Sequence, residues 1–230
     1  MPRGVQLVQL VSDLRAEAGH SSNPALGQQA RAGLVRMLQR VQTHLYNDFD
    51  WPHLVVDRDV SLSAGQRYYG FPSDLNYERI VNVHTKQGSQ WLPVAFGIGP
   101  GELSLYDSDA GVRGAPALNW APYETSQLEV WPIPSEAATL RFRGVRQLGP
   151  FAADSDTCDL DSDMIVLFAA AELLGQQKNP RAEKLLSAAN ALYGKIKGQG
   201  GANKRGVWTR TPSAAGTVPG KIEIPFAPRR

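Results

Sequence analysis

Residues 48–75 read DFDWPHLVVDRDVSLSAGQRYYGFPSDL, and two kinds of pattern meet there. Before the stretch, apolar residues recur at helical spacing; within and after it they recur every second residue. Trp51-Pro52 predicts the end of a helix, because proline carries no amide proton and drives the preceding residue out of the α region. Val56, Arg58, Val60 and Leu62 then alternate with Asp57, Asp59, Ser61 and Ser63, the period of a half-buried strand. Ala64-Gly65 reads as a turn, and residues 66–71 as the returning strand of a hairpin. Pro72-Ser73-Asp74 is turn chemistry, and residues 80–84 start another strand.

Upstream, residues 5–18 predict a helix with Leu7, Val8, Val11, Leu14 and Ala18 on one face, closed by Gly19. Asn23-Pro24 predicts the next start, with Asn as N-cap and Pro at the first helical position. Ala30, Leu34, Met37, Leu38, Val41 and Leu45 mark the buried face of that second helix, which runs to Asn47 or Asp48.

Downstream, residues 81–84 and 91–96 predict a second hairpin around Gln87-Gly88-Ser89. Gly97, Gly99 and Gly101 interrupt it, residues 102–109 read as a short helix, and residues 113–123, with Pro116 and Pro122, as loop and one edge strand. Residues 127–131 and 139–145 are the last strands. In the second of them, Leu140, Phe142 and Gly144 point one way and Arg141, Arg143 and Val145 the other. Residues 161–177 are apolar enough for a buried helix. Asn179-Pro180 then caps a fourth helix over residues 181–196, with Ala182, Leu185, Leu186, Ala189 and Leu192 on one face.

The order helices–strands–helices predicts an α+β protein. It would be an antiparallel helical bundle built from both chain ends (residues 1–50 and 151–197), with a small antiparallel β domain inserted at residues 51–150. Residues 198–230 change composition to Gly, Pro, Ala and Thr, too poor in core residues to fold alone. They predict an extended C-terminal arm. Trp208, Ile222, Ile224 and Phe226 are apolar hooks on it, and residues 221–224 alternate as a strand does, so the arm is expected to order on a partner, by strand addition to an exposed edge.

Composition sets the bounds. With 42% hydrophobic and 20% charged residues the chain has the balance of a globular protein. No apolar run approaches the roughly 20 residues that span a bilayer. The N-terminal stretch lacks the apolar core of a secretory signal, and a single cysteine, Cys158, fits a reducing compartment. From Lys195 onward, eight Lys and Arg residues stand against Glu223, a local net charge of +7; the preceding residues then carry −5 of the whole chain's +2. A basic tail on an acidic body implies a partner for the tail.

Catalytic and metal chemistry find little support. Asp154, Asp156, Asp159, Asp161 and Asp163 form an acidic cluster, yet no register supplies the sixth-position Gly and twelfth-position Glu of a calcium loop. These aspartates read as loop solvation and as charge at the positive end of the third helix. The Gly97–Gly101 triplet lacks Gly-Lys-Ser/Thr and holds Pro100, so it reads as a strand–helix loop. His20, His44, His53 and His84 show no metal-ligand spacing. No catalytic residue, cofactor or metal is expected. Lys204-Arg205, Trp208 and Arg210 mix bases with an aromatic and leave a nucleic-acid-binding module as the alternative reading. A virion-associated cell-wall hydrolase is a weaker one.

Several residues carry a family resemblance. A helix ending at Trp51-Pro52, the Ala64-Gly65-Gln66 turn with Tyr69 and Pro72-Asp74-Leu75, the Leu128-Val130-Trp131-Pro132-Pro134 strand and turn, and the AAAELL of residues 169–174 resemble the head–tail connector proteins of tailed bacteriophages, also called adaptors, tail accessory factors or head completion proteins. The resemblance covers most of residues 1–197. It implies a structural, non-enzymatic protein of the virion, assembled in the host cytoplasm. Such proteins dock beneath the portal as a ring, usually twelvefold, extend the DNA channel and offer a platform for the tail or nozzle protein. Genomic DNA passes without sequence-specific binding, and no membrane is involved. In related adaptors the C-terminal segment reaches the portal, which makes Trp208, Lys221, Ile222, Ile224 and Phe226 the expected portal-binding residues. Trp51, Pro52, Gly65, Tyr69 and Pro72 are the expected structural junction.

Overall fold

The computed structural model describes residues 3–20, 28–107 and 110–202. Among these residues, five α-helices and eight strands follow one another as α1 (Leu7–Glu17), α2 (Gln28–Asp48), β1 (Val55–Leu62), β2 (Tyr68–Gly70), β3 (Leu75–Gln87), β4 (Gln90–Pro93), β5 (Ala95–Phe96), α3 (Pro100–Leu105), β6 (Asn119–Tyr123), β7 (Gln127–Trp131), β8 (Ala138–Arg146), α4 (Ser162–Gln176) and α5 (Arg181–Ala202). The protein is α+β, with two sheets in which all neighbours but β5 and β6 run antiparallel.

The helices pack over one apolar core that takes residues from α1, α2, α4 and α5, with Trp51, Leu54 and Val145 added from the strand side. Leu7, Leu10, Val11 and Leu14 are the buried stripe of α1. Val8, expected on that stripe, is 48% exposed, and Leu10 takes its place. Leu34, Met37, Leu38, Val41 and Leu45 are buried as the spacing predicts. The Asn23-Pro24 start lies outside the described residues. Asp161 caps α4, its Oδ1 accepting from the Met164 amide at 3.0 Å. α5 does not stop near Ile196: it continues through Gly198 to Ala202, because the glycines of this turn border a helix already held by packing.

The strands form a sandwich. One sheet has the order β1-β8-β3-β4 and the other β2-β7-β6-β5. Leu62, Tyr69, Leu75, Val83, Trp120, Leu128, Val130, Leu140 and Phe142 meet between them. The expected hairpin of residues 56–71 is therefore corrected. β1 pairs along its length with β8, from Val55 opposite Val145 to Leu62 opposite Ala138, and β2 pairs with β7. The Ala64-Gly65 turn carries the chain from one sheet to the other, where the Gly65 amide donates to the Pro134 carbonyl at 2.8 Å. Facing sheets bury Leu62 and Tyr69 against a common core, which side-by-side strands in one sheet would not do.

The second expected hairpin forms only in part. Gln87 faces Gln90 across the Gly88 turn, but residues 91–96 divide at the buried Val94: β4 stays on β3 and β5 leaves for the other sheet. β6 is correspondingly not an edge strand over its first two residues, where β5 covers it. α3 begins at Pro100, earlier than expected, with the Glu102 carboxylate accepting from the Gly99 amide at 2.9 Å, and ends at Leu105. β3 is longer than residues 80–84: between Leu75 and Ile80 its register on β8 jumps, so that residues 76–79 arch out of the ladder.

Candidate interaction surfaces

The last turn of α2 joins the two cores. Trp51 is buried, donates Nε1–H to the Leu45 carbonyl at 2.9 Å and packs edge-on against Phe49. From the sandwich, the arch in β3 reaches this turn. Arg79 Nη1 donates to the Tyr46 carbonyl at 2.8 Å, and its Nη2 donates to the Phe49 carbonyl at 3.2 Å and pairs with Asp50. Asn76 donates to the Tyr46 hydroxyl at 3.0 Å. The carbonyls of a helix end lack intrahelical donors, and a cation there also meets the negative end of the dipole. From the other side, Lys197 and Tyr193 of α5 both hold the Asp48 carboxylate, Lys197 at 2.9 Å. The Tyr193 hydroxyl first, then Lys197, keep the Asp48 pKa below its ordinary value. The sandwich and α5 thus grip one helical turn.

The acidic loop before α4 is spent on the fold. Asp156 Oδ2 accepts from the Ala152 and Ala153 amides, both at 2.7 Å, and these bonds lower its pKa. Asp159 accepts from the Gly149 amide at 2.8 Å and pairs with Arg146; Asp154 pairs with Arg31. Among the described residues no group of three or more His, Cys, Asp or Glu could hold a metal ion. His53 Nε2 stands 2.9 Å from the Asp159 carbonyl, which makes it the protonated nitrogen; burial lowers the imidazole pKa. Cys158 is buried, and burial pushes its thiol up.

Among the described residues, one apolar recess and one of mixed polarity open on the surface. One, of about 460 Å³, lies between α2, α4 and α5, floored by Val41, Leu45, Phe168 and Leu186 and rimmed by Arg40 and Glu183. The other, of about 980 Å³, is a wedge where the sheets part after β4, with Val81, Phe96 and Trp120 on its apolar part and Glu78, His84 and Arg143 on its polar part. The outer face of β1 and β8 is charged: Arg141 holds Asp59 through two 2.7 Å bonds and stacks 4.2 Å from the Trp91 ring. Among the described residues no helix is long and apolar enough to cross a membrane.

Of the residues singled out in the sequence, Trp51 and Tyr69 are buried anchors, and the Tyr69 hydroxyl bonds the Ser63 amide and carbonyl. Pro52 opens a short 3-10 turn, and the Pro72 carbonyl accepts from the Leu75 amide at 3.1 Å. Gly65 holds a φ of +79°. Trp208, Lys221, Ile222, Ile224 and Phe226 lie outside the described residues. Arg79, Asn76 and the Asp48–Tyr193–Lys197 cluster carry no signal in the sequence, because their contacts join residues far apart in the chain.

No curated protein matches the chain. A family profile described as SU10 adaptor protein matches residues 6–215, from the start of α1 through both cores to beyond α5. The chain therefore belongs to the SU10 adaptor protein family, and its role is that of a structural adaptor of a bacteriophage.

Proposed function

We propose that this adaptor sits at the head–tail interface of the virion. There it docks beneath the portal as a ring, most simply twelvefold, extends the DNA channel and presents a platform to the tail or nozzle protein. The observation that carries the reading is the family match over residues 6–215, which spans the helical core and the sandwich together. In this reading residues 1–50 and 151–197 form the ring-building bundle, residues 51–150 an inserted β domain, and residues 198–230 the portal-docking arm, with Trp208, Lys221, Ile222, Ile224 and Phe226 as its contacts. Head-to-tail contacts of one copy on the next close into rings, and the helical recess offers an apolar surface for such a contact. A body carrying −5 before Lys195 repels DNA and lets it pass.

The test is the size of the protein alone and with purified portal. The expected result is a monomer or weak oligomer alone, and a ring imaged on the portal when it is present. A stable ring at micromolar concentration without portal counts against portal-directed assembly. Salt-dependent binding to DNA without binding to portal would move the nucleic-acid reading ahead.

A further inference from the structure

The wedge between the sheets has the features of a strand acceptor. β3 is paired on its β4 side only from Val83, whose carbonyl accepts from the Val94 amide at 2.9 Å, to Gln87. Ile80, Val81 and Asn82 continue β3 past the end of β4, with a second register shift on β8 that leaves Val81 as a bulge between Ile80 and Asn82, and among the described residues no strand lies on that side. The facing edge, on β6, is blunted. The Leu118 and Trp120 carbonyls accept from the Ala95 and Gly97 amides, both at 2.8 Å. By the alternation of a strand, Pro122 turns to the same side, where it has no N–H to give. The open side of β3 keeps its donors, so of the two edges it is the one with N–H groups to offer, over a short run bent by the Val81 bulge. Val81 is 59% exposed and Phe96 71% exposed on the rim, while Trp120 and Val94 are buried at the floor. The Tyr77 hydroxyl, on the lining, is buried without a hydrogen-bond partner.

We propose that in the free protein this edge is occupied by residues 221–226 of the same chain, KIEIPF, added as a strand beside Ile80–Asn82. Three observations single out that segment. Ile222, Ile224 and Phe226 share one face at strand period, so a single orientation turns all three to the wedge. With residues 222, 224 and 226 bonding to β3, Pro225 and its missing donor face solvent, the position an edge strand tolerates.

The third is reach. α5 ends at Ala202, about 8 Å along the helix beyond Lys197, and Lys197 sits on Asp48, in the same helical turn that Arg79 of β3 caps. The helix that leads into the segment and the strand that borders the wedge thus meet at one turn of α2. The 18 residues 203–220 can span at most about 60 Å, and a flexible chain of that length would span about 23 Å on average. A tether of that length holds the segment at millimolar effective concentration.

The inference concerns the protein without portal, so its test does not depend on portal docking. If the portal takes the same residues, it must displace them from the wedge. The full chain is made with Val81→Cys and Ile224→Cys and oxidised mildly; native Cys158, buried with its thiol pushed up, is a poor competitor. A disulfide needs Cα atoms within about 7 Å. The expected product is an intrachain bond at monomer mass, with little product from a Leu186→Cys/Ile224→Cys control that places one thiol at the helical recess. An interchain bond would assign the wedge to a second copy, and preferential reaction of the control would assign the segment to the helical recess; either overturns the proposal, as does reaction of neither pair.

Hydrogen exchange of the unmodified chain checks it independently. The amides of residues 80–82 should exchange about tenfold faster in an Ile222→Asp/Ile224→Asp variant than in the parent. Equal rates overturn the proposal.

Discussion

Arg79 stands over Tyr46, its guanidinium carbon 4.5 Å from the ring centroid, while its Nη1 donates to the carbonyl of that same residue. One side chain from a β arch thereby closes the end of a helix that belongs to the other core. Arg79 is largely buried whereas its partner Asp50 is exposed, so the carbonyl bonds matter more than the ion pair. Arg79→Ala should destabilise the protein by about 2–3 kcal/mol, the range for bonds from a charged donor. Arg79→Lys should recover only part, since an ammonium lacks the planar fork. Asp50→Ala should change stability by less than about 0.5 kcal/mol. Urea unfolding of the three variants checks the ranking, and an Asp50 effect as large as that of Arg79 would contradict it.

Trp51→Ala should cost about 3–5 kcal/mol through the cavity left between the last turn of α2, His53 and Tyr193. Trp51→Phe should cost less, because most of the packing survives and mainly the bond to the Leu45 carbonyl is lost. Thermal melts suffice, and an unchanged melting temperature for the alanine variant would show that this side chain is not anchoring the junction.

His53 gives the junction a pH dependence. Burial holds its pKa below the ordinary 6.5, against the pull of the Asp159 carbonyl and carboxylate and with the help of Arg3 and Arg146. The unfolded state then binds the proton more readily. The stability from neutral His53 is complete above pH 6.5 and is lost as pH falls from there through the folded pKa. His53→Gln should flatten the stability profile between about pH 7 and 5. The lowered carboxyl pKa values of Asp48, Asp59 and Asp156 act in a separate window, with stability lost below their ordinary 3.8. A parent profile that already runs flat from pH 7 to 5 would remove His53 from this role.

Much of the secondary structure was legible in the sequence because it rests on local chemistry. The period of β1, the negative charge placed at the start of α4 and the apolar run of α4 are each settled within a few residues. Pairing was not. Val56 and Leu62 show that β1 has a buried face, but not that its neighbour is β8, about 80 residues away, instead of the strand that follows. Val94 reads as one more apolar residue of a strand, while in the fold it is the point where the chain changes sheets. The contacts of Arg79 and Lys197 with the end of α2 are tertiary throughout. No spacing announces them, which is why they stand outside the junction expected at Trp51, Pro52, Gly65, Tyr69 and Pro72.

Gly65 offers the sharpest separation of backbone from side-chain effects at the sheet-changing turn. Its φ of +79° is a conformation L-residues adopt at a cost of roughly 1–2 kcal/mol. A Cβ there would also lie 2.9 Å from the Arg113 guanidinium. That guanidinium is the far end of a flexible side chain and can swing away, whereas the backbone is fixed by the Gly65 amide on the Pro134 carbonyl. Gly65→Ala should therefore lose about 1–2 kcal/mol. Adding Arg113→Ala should restore little of it. Gly65→Asn should lose less than Gly65→Ala, because asparagine enters the left-handed region more readily. Denaturant unfolding of the single, double and asparagine variants decides the matter. Full recovery in the Gly65→Ala/Arg113→Ala double variant would place the cost in the Arg113 contact and not in the conformation of the turn.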